Sequence, residues 1–235
     1  TGGILDETDF WESSDAYTTT TSLAWGDLDA DGYPDLILGN ELTSTVLYWN
    51  TEGSLPEEPD WSSDFRNIVR SVAWGDMDAD GDLDLAVGMN GSQSRVVVNE
   101  MSTLEFLASV EWDPAELVGV IDQAWGDINR DGWMDLAVVN VSFDENDVPL
   151  ALNVAVYRNN NGVIASTPLA TVYTTSLDPE DIEIAIDLVW ADVNGDGWLD
   201  LSLASQFSGP RLFLNNGSGS LNTTPAWSAT DMLAS

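Results

Sequence analysis

Four times along the chain a short apolar run leads into a polar loop of nine positions, and a second apolar run follows directly. The stretches are "AWGDLDADGYPDLILGN" from Ala24, "AWGDMDADGDLDLAVGMN" from Ala73, "AWGDINRDGWMDLAVVN" from Ala124 and "VWADVNGDGWLDLSLAS" from Val189. A third apolar run then ends in asparagine: "TVLYWN" at Asn50, "RVVVN" at Asn99, "VAVYRN" at Asn159 and "PRLFLN" at Asn215. A looser segment comes last, holding Trp61, Trp112 or Trp227 in three of the units, with Trp11 in the same phase ahead of the first loop. Short apolar, β-branched runs bounded by Gly and Asn clusters read as strands and turns. "DPEDIEIAIDLVW" from Asp178 resembles a helix start, but Ile182, Ile184 and Ile186 alternate as in a strand.

The loops begin at Asp27, Asp76, Asp127 and Asp192, and periods of 20–50 residues or a little more signal arrays of supersecondary units. The pattern predicts an all-β chain of four tandem four-stranded antiparallel blades. They close as a β-propeller or stay open as a propeller-like array. One repeat domain covers residues 1–235, with repeats starting near 22, 71, 122 and 187. Trp25, Trp74, Trp125 and Trp190 hold one place in every unit and are expected in the core.

The loop chemistry narrows the picture. Positions 1, 3, 5 and 9 carry oxygen side chains throughout. The sets are Asp27, Asp29, Asp31 and Asp35; Asp76, Asp78, Asp80 and Asp84; Asp127, Asn129, Asp131 and Asp135; Asp192, Asn194, Asp196 and Asp200. Position 6 is always glycine. Calcium takes six to eight oxygens, and a glycine turn lets a short loop wrap the ion. The position-7 carbonyls of Tyr33, Asp82, Trp133 and Trp198 are expected to complete each set. An EF-hand would need Glu at position 12, but Leu38, Val87, Val138 and Leu203 stand there inside an apolar run. About four calcium ions per chain are expected. Magnesium, with its stricter geometry and retained water, suits the loops less well.

Charge excludes some partners. There are 41 acidic and six basic residues, a net charge of −35. Nucleic acid and anionic membrane surfaces repel such a chain. Four divalent ions offset only a minor part of that charge. No apolar run is long enough to span a membrane. Cysteine and histidine are both absent, so disulfides, thiolate sites and His-based catalysis are excluded. A carboxylate pair can cleave glycosides, but these aspartates are better placed for cation binding, and no enzyme is expected.

These loops, each followed by the strand ending in Asn, resemble the FG-GAP or VCBS-like repeats of integrin α-subunit propellers and bacterial surface proteins. The resemblance implies four-stranded blades, calcium between the first two strands, and an extracellular or cell-surface setting. Such propellers commonly have seven blades, against four acidic loops here. The segments "GILDETDFWESS" and "GSLNTTPAWSAT" both look like a blade's last strand. This chain is therefore expected to be a window on a longer array, or a small propeller whose spare strand pairs with a neighbour. The expected function is a calcium-binding structural or adhesive module with a protein or glycan partner, including as the subunit of a surface assembly or filament. The alternative is a carbohydrate-binding propeller using Trp133, Trp198 and Tyr33. Four Asn-x-Ser/Thr sequons, at Asn90, Asn140, Asn216 and Asn222, fall in expected turns.

Overall fold

The run before each acidic loop pairs antiparallel with the run after it, because a nine-residue loop reverses the chain between them. The computed structural model describes residues 11–14, 18–100, 105–110, 119–143, 149–176, 185–205 and 209–229. Among these residues there is no helix, and sixteen strands form four units. Blade 1 holds β1 (Thr19–Gly26), β2 (Asp35–Glu41), β3 (Val46–Tyr48) and β4 (Trp61–Ser62). Blade 2 holds β5 (Ile68–Gly75), β6 (Asp84–Asn90), β7 (Arg95–Glu100) and β8 (Glu105–Val110). Blade 3 holds β9 (Val120–Gly126), β10 (Asp135–Phe143), β11 (Pro149–Tyr157) and β12 (Ala170–Ser176). Blade 4 holds β13 (Ala185–Ala191), β14 (Asp200–Ser205), β15 (Arg211–Phe213) and β16 (Trp227–Ser228).

Strand order within each blade follows the sequence, with every pair antiparallel. Blades 1 and 2 share one sheet through a single pair, Glu41 with Ile68. The first strands of successive blades lie beside one another, β1 by β5, β5 by β9, β9 by β13. That places them innermost, as in a propeller. Every first pair carries a register shift near its far end, at Thr20/Ser22, Val69/Ser71, Val139/Asn140 and Ala185/Asp187. Such bulges strengthen local twist.

Alternation along the strands gives each blade two apolar faces, and the core lies between blades. Ile37 and Leu47 of blade 1 meet Leu85, Val87 and Met89 of blade 2. Ala86 and Val96 meet Leu136, Val138 and Tyr157. Val139, Leu152 and Val156 meet Leu201, Leu203 and Phe213. Glycine shapes these seams. A Cβ at Gly75 would lie 2.5 Å from Cγ of Trp125, and Cβ atoms at Gly26 and Gly126 would each come within 2.8 Å of Trp74 and Trp190. Each tryptophan therefore rests on the glycine of the preceding blade. The Trp125 Nε1–H donates to the Ala73 carbonyl (3.2 Å), and the Trp190 Nε1–H to the Ala124 carbonyl (3.1 Å).

Three expectations need correction. Trp25 is not in the core; it is 52% exposed, because among the described residues no glycine-bearing blade lies in front of blade 1. It lines a cavity of about 610 Å³ with Trp11, Asn50 and Leu55. Asn140 is not in a turn but in β10, where it is buried, so that sequon cannot carry a glycan in the folded chain. Asn90 ends β6. Trp11 to Ser14 form no strand; Trp11 instead packs edge-on against Tyr48 and donates to the Pro56 carbonyl. Residues 3–10 of the first terminal segment, Trp112 and the stretch 178–184 lie outside the described residues, while the second terminal segment holds the strand Trp227–Ser228 and Ala185–Ala191 is a strand.

Candidate metal centre

Each acidic loop closes on its own aspartates. The position-6 glycine N–H donates to the position-1 carboxylate in all four: Gly32 to Asp27 (3.1 Å), Gly81 to Asp76 (3.2 Å), Gly132 to Asp127 (2.9 Å) and Gly197 to Asp192 (2.8 Å). The position-7 N–H donates to position 5 in the same way, as from Tyr33 to Asp31 (2.8 Å). The turn needs positive φ twice. Gly32, Gly81, Gly132 and Gly197 supply it at position 6, with φ between 86° and 101°. Position 4 supplies it through Ala30, Ala79, Arg130 and Gly195, a requirement the varied residues there had hidden.

The position-9 aspartate is the pin of each unit. Asp35, Asp84, Asp135 and Asp200 are buried at the start of the second strand. One oxygen accepts the N–H of the asparagine ending the third strand: Asn50, Asn99, Asn159 and Asn215, at 2.7–2.9 Å. The other accepts the position-2 N–H of the loop, from Leu28 (2.9 Å), Met77 (2.7 Å) and Val193 (3.2 Å). In the third loop the corresponding oxygen, Oδ2 of Asp135, is buried without a hydrogen-bond partner. Burial pushes the carboxyl of Asp84 up to about 7 and that of Asp135 up to about 6, against the lowering effect of these backbone bonds. Asp35 is raised for the same reason. Neighbouring aspartates add to the rise in each case, so these groups call for a proton or a cation.

Three acidic triads converge, with ligand oxygens within 4.8 Å of one another: Asp27, Asp29 and Asp35; Asp76, Asp78 and Asp84; Asp78, Asp80 and Asp82. The residues fit a hard divalent cation. Buried oxygens, Oδ1 of Asp76 and Oδ1 of Asp78, have no hydrogen-bond partner and stand in the second loop. The side chain of Asp82 joins that cluster, although the sequence offered only its carbonyl. Asp31 stays outside the first triad. In the third and fourth loops no acidic triad converges among the described residues. There the position-3 amide donates to position 5, Asn129 to Asp131 and Asn194 to Asp196, each at 2.9 Å. Their oxygen count is kept with one negative charge fewer.

The position-7 rings have other neighbours. The guanidinium of Arg130 lies over the Trp198 ring, 4.7 Å from its centre, and donates to the Gly197 carbonyl. Trp133 packs beside Gly162. Tyr33 is 40% exposed.

Three overlapping segments match the family model of the FG-GAP-like repeat: residues 27–87, 76–138 and 127–201. The chain belongs to the FG-GAP-like repeat family. Each matched FG-GAP-like segment runs from the first aspartate of one loop into the second strand of the next blade. The family unit therefore spans a seam and includes two successive loops. The fold is accordingly a propeller-like array of FG-GAP-like blades whose aspartate clusters can hold a metal. No curated protein matches the chain. Among the described residues no helix is long and apolar enough to cross a membrane.

Proposed function

We propose that this chain is a calcium-stabilised structural or adhesive repeat module that works outside the cell. The carrying observation is the second loop, where five aspartates converge in two overlapping triads and two buried carboxylate oxygens lack any hydrogen-bond partner. An all-oxygen, anionic, preformed loop suits calcium. The ligands in this reading are the side chains at positions 1, 3, 5 and 9 and the carbonyl at position 7 of each loop. The Asp82 carboxylate is added in the second. The ion offsets carboxylate repulsion and holds the first two strands of a blade together; it performs no chemistry.

Extracellular calcium, near millimolar, would keep such sites filled. A protein or glycan at the cell surface is the proposed partner. Metal analysis after equilibrium dialysis in calcium tests the reading: close to four equivalents per chain are expected. One or none would overturn it.

A further inference from the structure

The asparagine that ends each third strand also reaches across the seam. Its side-chain Nδ2 donates to the position-2 carbonyl in the loop of the preceding blade. Asn159 donates to Met77 (2.7 Å), Asn215 to Ile128 (3.0 Å) and Asn99 to Leu28 (3.5 Å). The second Nδ2 hydrogen holds the position-8 carbonyl of its own loop, as Asn159 does with Met134 (3.0 Å) and Asn215 with Leu199 (3.3 Å). Two of these carbonyls, those of Leu28 and Met77, belong to residues whose N–H groups donate to the position-9 aspartates of their own loops.

One hydrogen-bonded relay results. It runs from Asp135 through Asn159 and Met77 to Asp84, and through Asn99 and Leu28 to Asp35, while Asp200 is joined through Asn215 to the Ile128 carbonyl of the third loop. A second contact follows the same path. The turn after β11 sets Gly162 against Asp78, and the turn after β15 sets Gly219 against Asn129, so each turn lies on position 3 of the preceding loop.

We infer that Asn99, Asn159 and Asn215 are positioning residues that couple neighbouring cation sites, so that filling one loop favours filling the next. The inference rests on the calcium reading above. A cation in one loop fixes that loop's position-2 peptide. Its carbonyl then stands ready for the asparagine, and the asparagine holds the next blade's aspartate in place. The second ion meets a loop already ordered, which is positive cooperativity in the sense of a coupling free energy.

The test uses the full chain and calcium itself, followed by calorimetric titration. The unaltered protein should bind calcium cooperatively. A variant keeping only the second and third sites, made with Asp31→Ala and Asp196→Ala, should show each site strengthening the other roughly three- to tenfold, a Hill coefficient of about 1.3–1.5. Adding Asn159→Ala should bring the coefficient to about 1. A merely structural loss would weaken both sites and leave their dependence on one another unchanged. If Asn159→Ala does not fold, Asn99→Ala across the first seam and Asn215→Ala across the third are read in the same way. Independent sites in the unaltered chain, or cooperativity that survives the substitution, would overturn the inference. No calcium uptake at all would instead remove the reading beneath it.

Discussion

Asp122, in β9, belongs to no acidic loop yet ties three blades together. Its Oδ1 accepts from the Ser71 hydroxyl of blade 2 and its Oδ2 from the Leu188 N–H of blade 4, both at 2.9 Å. Burial pushes its carboxyl up to about 6, outweighing these two bonds, and the side chain of Asp187 adds to the rise. The folded chain thus binds this proton more tightly than the unfolded chain, whose carboxyl stays near 3.8. The stabilising contribution is complete below about pH 4 and is lost as the pH rises to about 6. Asp122→Asn removes the titration. The difference in unfolding free energy between the two proteins should therefore change across that window and be flat on either side. Urea denaturation at saturating calcium measures it. A constant difference from pH 4 to pH 6 would show that Asp122 does not titrate there.

At the scale of the blade, one tryptophan position has two environments. In blades 3 and 4 the indole lies on a glycine and donates to a carbonyl of the blade before. In blade 1 it faces an open cavity. Trp190→Phe should cost about 0.5–1.5 kcal/mol for the lost hydrogen bond alone. The same change at Trp25 should stay within about 0.5 kcal/mol, as for an ordinary surface substitution. Chemical denaturation of both variants checks the ordering; equal losses would mean that the seam contact contributes nothing. The outward face of blade 4 differs from the other seams in kind. Ala191 stands where glycine receives the next tryptophan, and Val193 is 48% exposed where Leu28, Met77 and Ile128 are buried. Ser202 takes the place of Ile37, Ala86 and Ala137. A methyl at 191 is tolerated because, among the described residues, no ring lies on it.

Across the whole molecule, stability depends on seams that the loops themselves help to close. A ligand bound only by the folded state stabilises by roughly 2.7 kcal/mol per site at a hundredfold excess over Kd. Four filled sites then supply on the order of 10 kcal/mol, comparable with the entire stability of a typical domain. Removing calcium with excess chelator should lower the melting temperature steeply or unfold the chain. Ionic strength must be matched, because a net charge of −35 makes screening a competing effect. Equal melting temperatures with and without chelator would mean that the loops do not hold the fold.

The strands, the four-strand unit and the acidic loops were legible in the sequence. Each depends on residues within a few positions of one another: alternation sets a strand's faces, and one glycine with aspartates at odd positions sets a loop. The asparagine ending each third strand was equally visible, but its role was not. Asn99, Asn159 and Asn215 act on carbonyls 71, 82 and 87 residues away, and nothing local marks such partners. The positive φ at Ala30, Ala79 and Arg130 was hidden because residues other than glycine adopt it. Repetition itself misled at Trp25. The motif is the same in every blade, but burial is decided by what lies in front of it, and in front of blade 1 the described chain places a cavity. Local pattern determined the blades and their loops; which face of each blade is covered, and which loops are linked, only the stacking in space decided.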